Sequence, residues 1–383
     1  MAAVDRGELV GVDFGVSAAG GRAAPDGSPA QAELVVVIPT LNERDNIRPL
    51  LALLDEALAG LAWETVFVDD DSTDGTAAAV WAVGNARVRC LQRIGRRGLS
   101  TACVEGALSS AAPLILVMDA DLQHDERIIP AMVAAIRDAD VVVGSRYVAG
   151  GGTGEWAAGR VRISGIATTL GRALCQAEVA DPMSGFFLIR RPVFLEAVRH
   201  LSGQGFKILL DLLASSPVPL RVVEVPYIFR TRQHGESKLD AMVAWEFGLL
   251  LLDKTVGRVL PVRFVLFVAV GSLGLALHLA VLRLALGWGF ETAQILATAL
   301  AIGLNFVGNN WLTYRDKRLR GWRFVRGLAS FYVICGVGAA ANVGVANYAV
   351  AHERSWWVAG LAGAALGSVW NYAVSSVYTW RRR

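Results

Sequence analysis

The sequence predicts two architectures in tandem: an α/β domain on a mostly parallel sheet, and after it a domain of four transmembrane helices. Three observations carry this. From about Ala32 to Arg232, short β-branched apolar segments alternate with mixed polar and apolar ones. After Phe264, long stretches are free of charge. The whole 383-residue chain is 54% hydrophobic and only 19% charged, with a mean hydropathy of +0.43, more apolar than a soluble globular protein normally is. That composition argues against a wholly soluble or disordered chain. A net charge of +3, from 37 basic and 34 acidic residues, carries no nucleic-acid signature. The cysteines Cys90, Cys103, Cys175 and Cys335 form no C-x-x-C pair, so neither a disulfide framework nor a cysteine-rich zinc site is expected.

In chain order, residues 1–33 are rich in Ala, Gly and Asp, lack the basic start and apolar run of a secretory signal, and read as a mobile tail. Leu34–Ile38, Glu64–Val68, Leu114–Met118 and Val141–Gly144 read as strands, with Asn46–Leu58 and Asp125–Ile136 as helices between them. Strand and helix in alternation imply a parallel sheet with helices on both faces, which binds ligands at the carboxyl ends of its strands. Residues 34–238 form this domain. Residues 239–260, with Trp245 and Phe247 among Asp240, Glu246, Asp253 and Lys254, read as amphipathic and lying at the bilayer surface, or else docked on the sheet. In residues 261–383, Thr292–Tyr314, Leu328–His352 and Ser355–Trp380 hold no Asp, Glu, Lys or Arg, and each exceeds the ~20 residues of a spanning helix. Phe264–Leu286, with Arg283 near its end, is counted as the first span. The connection after the second span carries Arg315, Lys317, Arg318, Arg320, Arg323 and Arg326, and the chain ends in three arginines. By the positive-inside rule both are cytoplasmic, and so is the α/β domain. Within the spans, Asn305, Asn309, Asn310, Asn342, Asn347 and Asn371 are expected to hydrogen-bond between helices, and Gly336 and Gly338 to permit close approach.

The polar motifs fall at the strand ends. The first strand runs into Pro39-Thr40-Leu41-Asn42-Glu43 and the second into Asp69-Asp70-Asp71-Ser72-Thr73-Asp74. Carboxylates there can accept from ribose or base donors, while Asp74 is better placed to cap the next helix. After the third strand comes Asp119-Ala120-Asp121-Leu122-Gln123-His124. An extended backbone would turn Asp119, Asp121 and Gln123 to one face as three oxygen donors, a set suited to Mg²⁺ or Mn²⁺ that also holds substrate phosphates. The alternative is a pair of loop aspartates before a helix, and His124 reads as structural. Arg146, Arg160 with Ser164, and Arg230, Arg232 and Lys238 offer phosphate-binding cations, or else a solvated rim. Asp181-Pro-Met-Ser-Gly185 reads as a turn entering an apolar strand, and Gly205–Asp211 is open to either reading.

As an ordered set, Pro39–Glu43, Asp69–Thr76, Gly98–Ala102, Asp119–His124, Gly144–Arg146, Asp181–Phe187, Gly205–Asp211 and Gly235–Leu239 resemble the dolichol-phosphate mannose synthases, which are inverting family-2 glycosyltransferases. Arg263-Phe264, Asn305-Phe306 and Asn310-Trp311 before Thr313-Tyr314 resemble a GtrA-like membrane domain. The resemblance implies a GT-A-type, Rossmann-like catalytic domain. It implies a nucleotide-sugar donor, GDP-mannose, with Pro39, Leu41, Glu43 and Asp69 around the nucleoside, and Val68, Ala120 and Lys207 counted with them as substrate-binding. Leu41 stands where the family usually has Tyr. Asp119, Asp121 and Gln123 are implied at the Mg²⁺ or Mn²⁺ ion, Arg146, Arg160 and Ser164 at the acceptor phosphate, and Arg232 and Lys238 at the diphosphate. Asp121, Arg146, Arg160 and Ser164 are the implied catalytic set.

The function expected is transfer of mannose from GDP-mannose to a polyprenyl monophosphate, with inversion. The enzyme would be a multi-pass protein of the cell membrane with its catalytic domain in the cytoplasm. The alternatives are a polyprenyl-phosphate glucosyltransferase using UDP-glucose, and a lipid-linked sugar flippase or transporter. The expected partners are the nucleotide sugar, the polyprenyl phosphate and the bilayer, without nucleic acid.

Overall fold

The computed structural model describes residues 32–154, 168–172, 174–175, 177–202, 207–231, 241–257, 260–351 and 356–381. The tail expected over residues 1–33 lies outside them up to residue 31. The chain divides into two compact units, Met1–Lys254 and Thr255–Arg383.

Among its described residues the first unit holds seven strands: β1 (Leu34–Thr40), β2 (Trp63–Asp69), β3 (Val88–Gln92), β4 (Leu114–Val117), β5 (Val141–Ser145), β6 (Phe187–Arg190) and β7 (Val222–Pro226). They form one sheet in the order β3-β2-β1-β4-β6-β5-β7. Only β6 runs against the rest, pairing antiparallel with both β4 and β5. The fully buried run Leu-Val-Val-Val-Ile of β1 shows why the sheet has two cores. Leu34, Val36 and Ile38 join one cluster with Ile47, Leu50 and Leu54 of α1 (Ile47–Ala57) and Met132 of α4 (Ile129–Ala135). Val35 and Val37 join the other, with Ala102 and Cys103 of α3 (Leu99–Leu108) and Phe194 of α5 (Arg191–Ala197). Alternate side chains thus feed opposite layers, the reason a parallel strand covered on both faces is apolar throughout. Because β1 pairs with β2 on one side and with β4 on the other, the connections diverge beyond Thr40, Asp69 and Val117. Open α/β sheets bind ligands at such a switch point.

The short helix α2 (Thr76–Trp81) follows β2, and α6 (Ile208–Ser215) and α7 (Ala241–Thr255) close the unit. Of the two readings given for residues 239–260, docking describes the second half of α7. Leu250 is buried with Met183 and Leu210, and Lys254 Nζ lies 2.6 Å from Asp211 Oδ1, whose side chain is 1% exposed.

The second unit holds α8 (Val262–Ala285), α9 (Phe290–Gly308), α10 (Trp322–Ala351) and α11 (Trp356–Tyr378). Three segments among the described residues, Val262–Trp288, Phe290–Thr313 and Trp322–Ala340, are long and apolar enough to cross a membrane. The asparagines divide by role. Asn309 stays within its own turn, donating to Asn305 O and accepting from Thr313. Asn310 reaches out: Nδ2 donates to Leu319 O, and Oδ1 accepts from both Leu319 N and Trp380 Nε1. Of the two glycines expected to allow close approach, only Gly338 does so, since a Cβ there would lie 2.3 Å from Asn371 Oδ1, whereas Gly336 faces open space. The side chains of Asn342 and Asn347 lie outside the described residues.

Candidate active site

The loops leaving β1 and β2 are stitched into one structure. Asn42, left-handed at φ 56°, accepts from Thr73 N at 3.0 Å and donates its own N–H to Ser72 Oγ at 2.8 Å. Glu43 N donates to Thr76 Oγ1, and Arg44 N to Asp74 Oδ2. Asp74 also accepts from Thr76 N and Oγ1, which is the capping role expected of it. Burial alone would raise its pKa, but the bonds from Thr76 and Arg44 hold it below the ordinary carboxylate value. Among the expected substrate contacts, Pro39 and Val68 are buried in their strands, while Leu41 and Glu43 are half-buried. Asp69 is fully buried and accepts from Ser72 N and Oγ, so its carboxylate shapes this loop. Asp70 takes Arg93 Nη1 at 2.8 Å and Gly98 N at 2.7 Å, and burial raises its pKa.

Beyond β4 the expectation of an extended backbone fails. Leu122 is left-handed at φ 62°, so Asp119 to Gln123 form a compact turn instead of one pleated face. Gln123 N donates to Asp121 Oδ1 at 3.2 Å, which brings those two residues together. Asp119 is held from another side. Its N–H donates to His124 Nδ1 at 3.1 Å, and its Oδ2 lies 3.7 Å from His124 Nε2. Gly185 packs on the same carboxylate, and a Cβ there would stand 3.2 Å from Asp119 Oδ2. A side chain in this turn into β6 would therefore press on the carboxylate and shift it by a few tenths of an ångström. His124 is structural: buried, stacked on Phe186 at 4.9 Å, with Tyr227 and Phe229 edge-on. Desolvation pushes its pKa down to about 4. Accepting at Nδ1 as a neutral ring leaves its one N–H at Nε2, facing Asp119. Ala120 is buried behind the turn.

Whether this turn fits a divalent cation turns on its donors. Asp119 and Asp121 supply carboxylates. Gln123 Nε2 donates to Arg230 O at 2.9 Å, and because a carbonyl only accepts, the amide must turn its NH₂ to Arg230, leaving Oε1 as its remaining acceptor. Two carboxylates and an amide oxygen suit a hard cation. Among the described residues no group of three His, Cys, Asp or Glu side chains could hold a metal, so the glutamine is needed to complete the set.

The cations are less exposed than the sequence reading expected. Arg146, which opens the segment after β5, is gripped by Asp181, with Nε to Oδ2 at 2.7 Å and Nη2 to Oδ1 at 2.8 Å. The Asp181 side chain is 0% exposed. Glu224 on β7 fixes that turn in its place, accepting from the N–H groups of Ala180 and Asp181. Asp181-Pro is therefore an arginine-holding turn, a role its sequence did not reveal. Lys207 Nζ donates to Met183 O at 3.1 Å, beside the same turn. Arg230 faces Asp125 and Glu126 at 2.6 and 2.7 Å, a pairing that sequence spacing could not show across more than a hundred residues. Arg160, Ser164, Arg232 and Lys238 lie outside the described residues.

The aspartate-glutamine turn and the held arginines Arg146 and Arg230 thus gather beyond the strand ends of the sheet, and comparison with known proteins gives the class. Residues 35–197 match the model of glycosyl transferase family 2, and residues 266–380 match that of the GtrA/DPMS transmembrane domain; the protein is a glycosyltransferase with a membrane part. The dolichol-phosphate mannosyltransferase of Pyrococcus furiosus is 36% identical over 353 residues, covering 90% of this chain and 98% of the relative. That of Saccharomyces cerevisiae is 35% identical over 256 residues, 63% of this chain and 94% of the relative. The chain belongs to the dolichol-phosphate mannosyltransferase family. Among solved structures, the glucosyl-3-phosphoglycerate synthase of Mycobacterium tuberculosis, in complex with Mn²⁺, UDP-glucose and phosphoglyceric acid, aligns with a TM-score of 0.44 and 22% identity over 58% of this chain and 79% of that one. That likeness is too distant to bear on the site.

Proposed function

We propose that the protein transfers mannose from GDP-mannose to the phosphate of a membrane-held polyprenyl monophosphate, with inversion, at the cytoplasmic face of the cell membrane. The observation that carries this is the Asp119–Gln123 turn at the switch point, with its oxygen donors aimed by His124, Gly185 and Arg230, in a chain whose relatives are named for that transfer. The acceptor phosphate has a second pKa near ~6 and is mostly dianionic at neutral pH, so no general base is needed. Its oxygen attacks the anomeric carbon in line, a C–O bond forms, and the bond to the diphosphate breaks with the electron pair leaving on GDP.

The protein's work is positioning and charge. The stitched β1 and β2 loops, with the half-buried Leu41 and Glu43, would receive the nucleoside. Asp119, Asp121 and Gln123 would hold Mg²⁺ or Mn²⁺, which when bound offsets charge on the diphosphate. Arg146, fixed by Asp181, stands with Arg160 and Ser164 for the acceptor phosphate, and Arg232 and Lys238 for the leaving group. Lys207, whose Nζ donates to Met183 O, would add a further cation to the substrate contacts. The four helices would keep the enzyme where the lipid tail lies, and the six cations between residues 315 and 326 support a cytoplasmic position for that connection and for the catalytic unit.

Detergent-purified protein with polyprenyl phosphate and labelled GDP-mannose or UDP-glucose, with and without EDTA, tests this. Label should enter the lipid phase from GDP-mannose alone, EDTA should stop it, and NMR of the product should show the inverted anomer. Transfer from UDP-glucose alone would replace the donor, and a retained anomer would end the single-displacement account.

A further inference from the structure

We propose that Arg230 is a positioning residue for the Asp119–Gln123 turn, acting through Gln123 to aim that residue's amide oxygen at the cation. The inference rests on the metal reading above. Two bonds join the residues into a closed rung: Arg230 N donates to Gln123 O at 2.9 Å, and Gln123 Nε2 donates to Arg230 O at 2.9 Å. The second bond fixes the amide, since turning it over would set two acceptors against each other.

The rung is short, and its register is held by the guanidinium. Nη1 donates to Glu126 Oε2 at 2.7 Å, Nη2 to Glu126 Oε1 at 3.2 Å, and Nη2 also to Asp125 Oδ1 at 2.6 Å. The Glu126 side chain is 4% exposed and that of Asp125 14%. Backbone and side chain of one residue therefore grip both ends of the segment Gln123–Glu126. The same pairing answers an electrostatic problem. Four carboxylates fall between Asp119 and Glu126, and a divalent cation would be drawn to any of them. Arg230 and Arg127 engage Asp125, and Arg230 engages Glu126, so the two carboxylates at the far end of the segment are held by guanidinium groups and compete less for the ion. Ligand orientation by such outer partners is commonly worth 10- to 100-fold in metal affinity.

The test uses the full-length protein and Mn²⁺ itself, read by EPR of free Mn²⁺ in the presence of GDP. Arg230→Met should weaken Mn²⁺ binding by about 10-fold or more. Arg230→Lys, which keeps one carboxylate contact, should fall between it and wild type. In turnover, Arg230→Met should raise the Mn²⁺ concentration needed for half-maximal rate and regain much of kcat at saturating Mn²⁺. Loss of fold alone would lower kcat without moving the Mn²⁺ requirement. If Arg230→Met does not fold, Glu126→Gln, which keeps an acceptor for the guanidinium but removes the charge, should show the same shift in smaller measure. A folded Arg230→Met or Glu126→Gln protein that binds Mn²⁺ as wild type does would overturn the inference and leave the metal reading standing. A wild-type protein that binds no Mn²⁺ with GDP present would overturn both.

Discussion

The two units fix their irregular segments with different chemistry. In the catalytic unit the fixing groups are charged: Arg93 with Asp70, Arg146 with Asp181, Arg230 with Asp125 and Glu126, and Lys254 with Asp211. In the membrane unit the equivalent work is done by a neutral amide, Asn310, whose two side-chain atoms hold both backbone groups of Leu319 and the indole of Trp380. Trp380 is in turn fully buried, stacked at 4.1 Å on Tyr314. Among the described residues, Lys317, Arg318, Arg320, Arg323 and Arg326 of the second unit make no ion pair, although six cations crowd that connection. A charge beside hydrocarbon is costly unless paired and fully hydrogen-bonded, whereas an asparagine satisfies three groups without that cost. The function proposed for the catalytic unit brings phosphates and a cation together, which fits charges kept close to the Asp119–Gln123 turn and held by other charges.

The largest effect should come from breaking a buried pair. Asp181→Ala strands Arg146 and should cost about 3–5 kcal/mol in thermal unfolding, with transfer activity lost. Arg146→Met with Asp181→Leu should regain most of the stability and none of the activity. An Asp181→Ala protein within about 1 kcal/mol of wild type would mean that the pair does not hold the turn. On the other side of the comparison, Asn310→Leu should cost about 1–3 kcal/mol, because Leu319 and Trp380 lose their partner. Asn310→Asp retains both acceptor contacts but brings a charge to the buried site, and should be no better than Asn310→Leu. Recovery of wild-type stability by the aspartate would erase the distinction between the two units.

A smaller effect separates them by pH. Asp74, Asp125 and Asp140 all titrate below the ordinary carboxylate value. For Asp125 the first cause is the hydrogen bond from Arg127; for Asp74 and Asp140 burial alone would act upward, and the bonds from Thr76 and from Arg221 overcome it. A folded pKa below the unfolded one means that the folded state binds fewer protons. The stability is therefore present above about pH 4 and lost as pH falls through the lowered pKa. Unfolding temperature should fall between pH 5 and 3, and Asp125→Asn with Asp140→Asn should flatten that slope. An unchanged slope would place the acid sensitivity elsewhere.

What could be read in advance follows the same physics. β1, β2, β4 and β5 were legible because both of their faces are largely buried, so each carries an apolar, mostly β-branched run, Leu34–Ile38, Val66–Val68, Leu114–Val117 and Val141–Val143. β3 and β7, the two edges, were not: Val-Arg-Cys-Leu-Gln and Val-Val-Glu-Val-Pro are partly exposed, and the proline is tolerated because an edge strand has unpaired backbone positions. The aspartates and glutamine of the site were legible as a motif, but their geometry was not, since the left-handed Leu122 breaks the extended run on which the one-face reading depended. The partners of Arg146 and Arg230 were illegible for a different reason. They lie 35 and 104 residues away in sequence, and only the fold brings them together.

The smallest expected effect asks what the unpaired cations of the membrane unit do. Arg318 has one specific contact, its guanidinium lying 3.8 Å over the ring of Trp311. Both side chains are exposed, so the contact should be worth about 0.5–1 kcal/mol. Trp311→Leu and Arg318→Gln should each cost that much, and the double variant no more than either alone. Arg320→Gln and Arg323→Gln should leave the unfolding temperature unchanged, unlike Arg146 and Arg230 in the first unit, because nothing in the fold depends on their charge. What those two substitutions should alter is orientation. On the orientation proposed above, neutralising them together with Lys317 and Arg326 weakens the positive-inside bias of that connection, and a cysteine placed at residue 321 should become labelled from outside in a fraction of molecules. Loss of stability without any change in labelling would mean that these cations act as the catalytic unit's arginines do, and the contrast between the two units would fail.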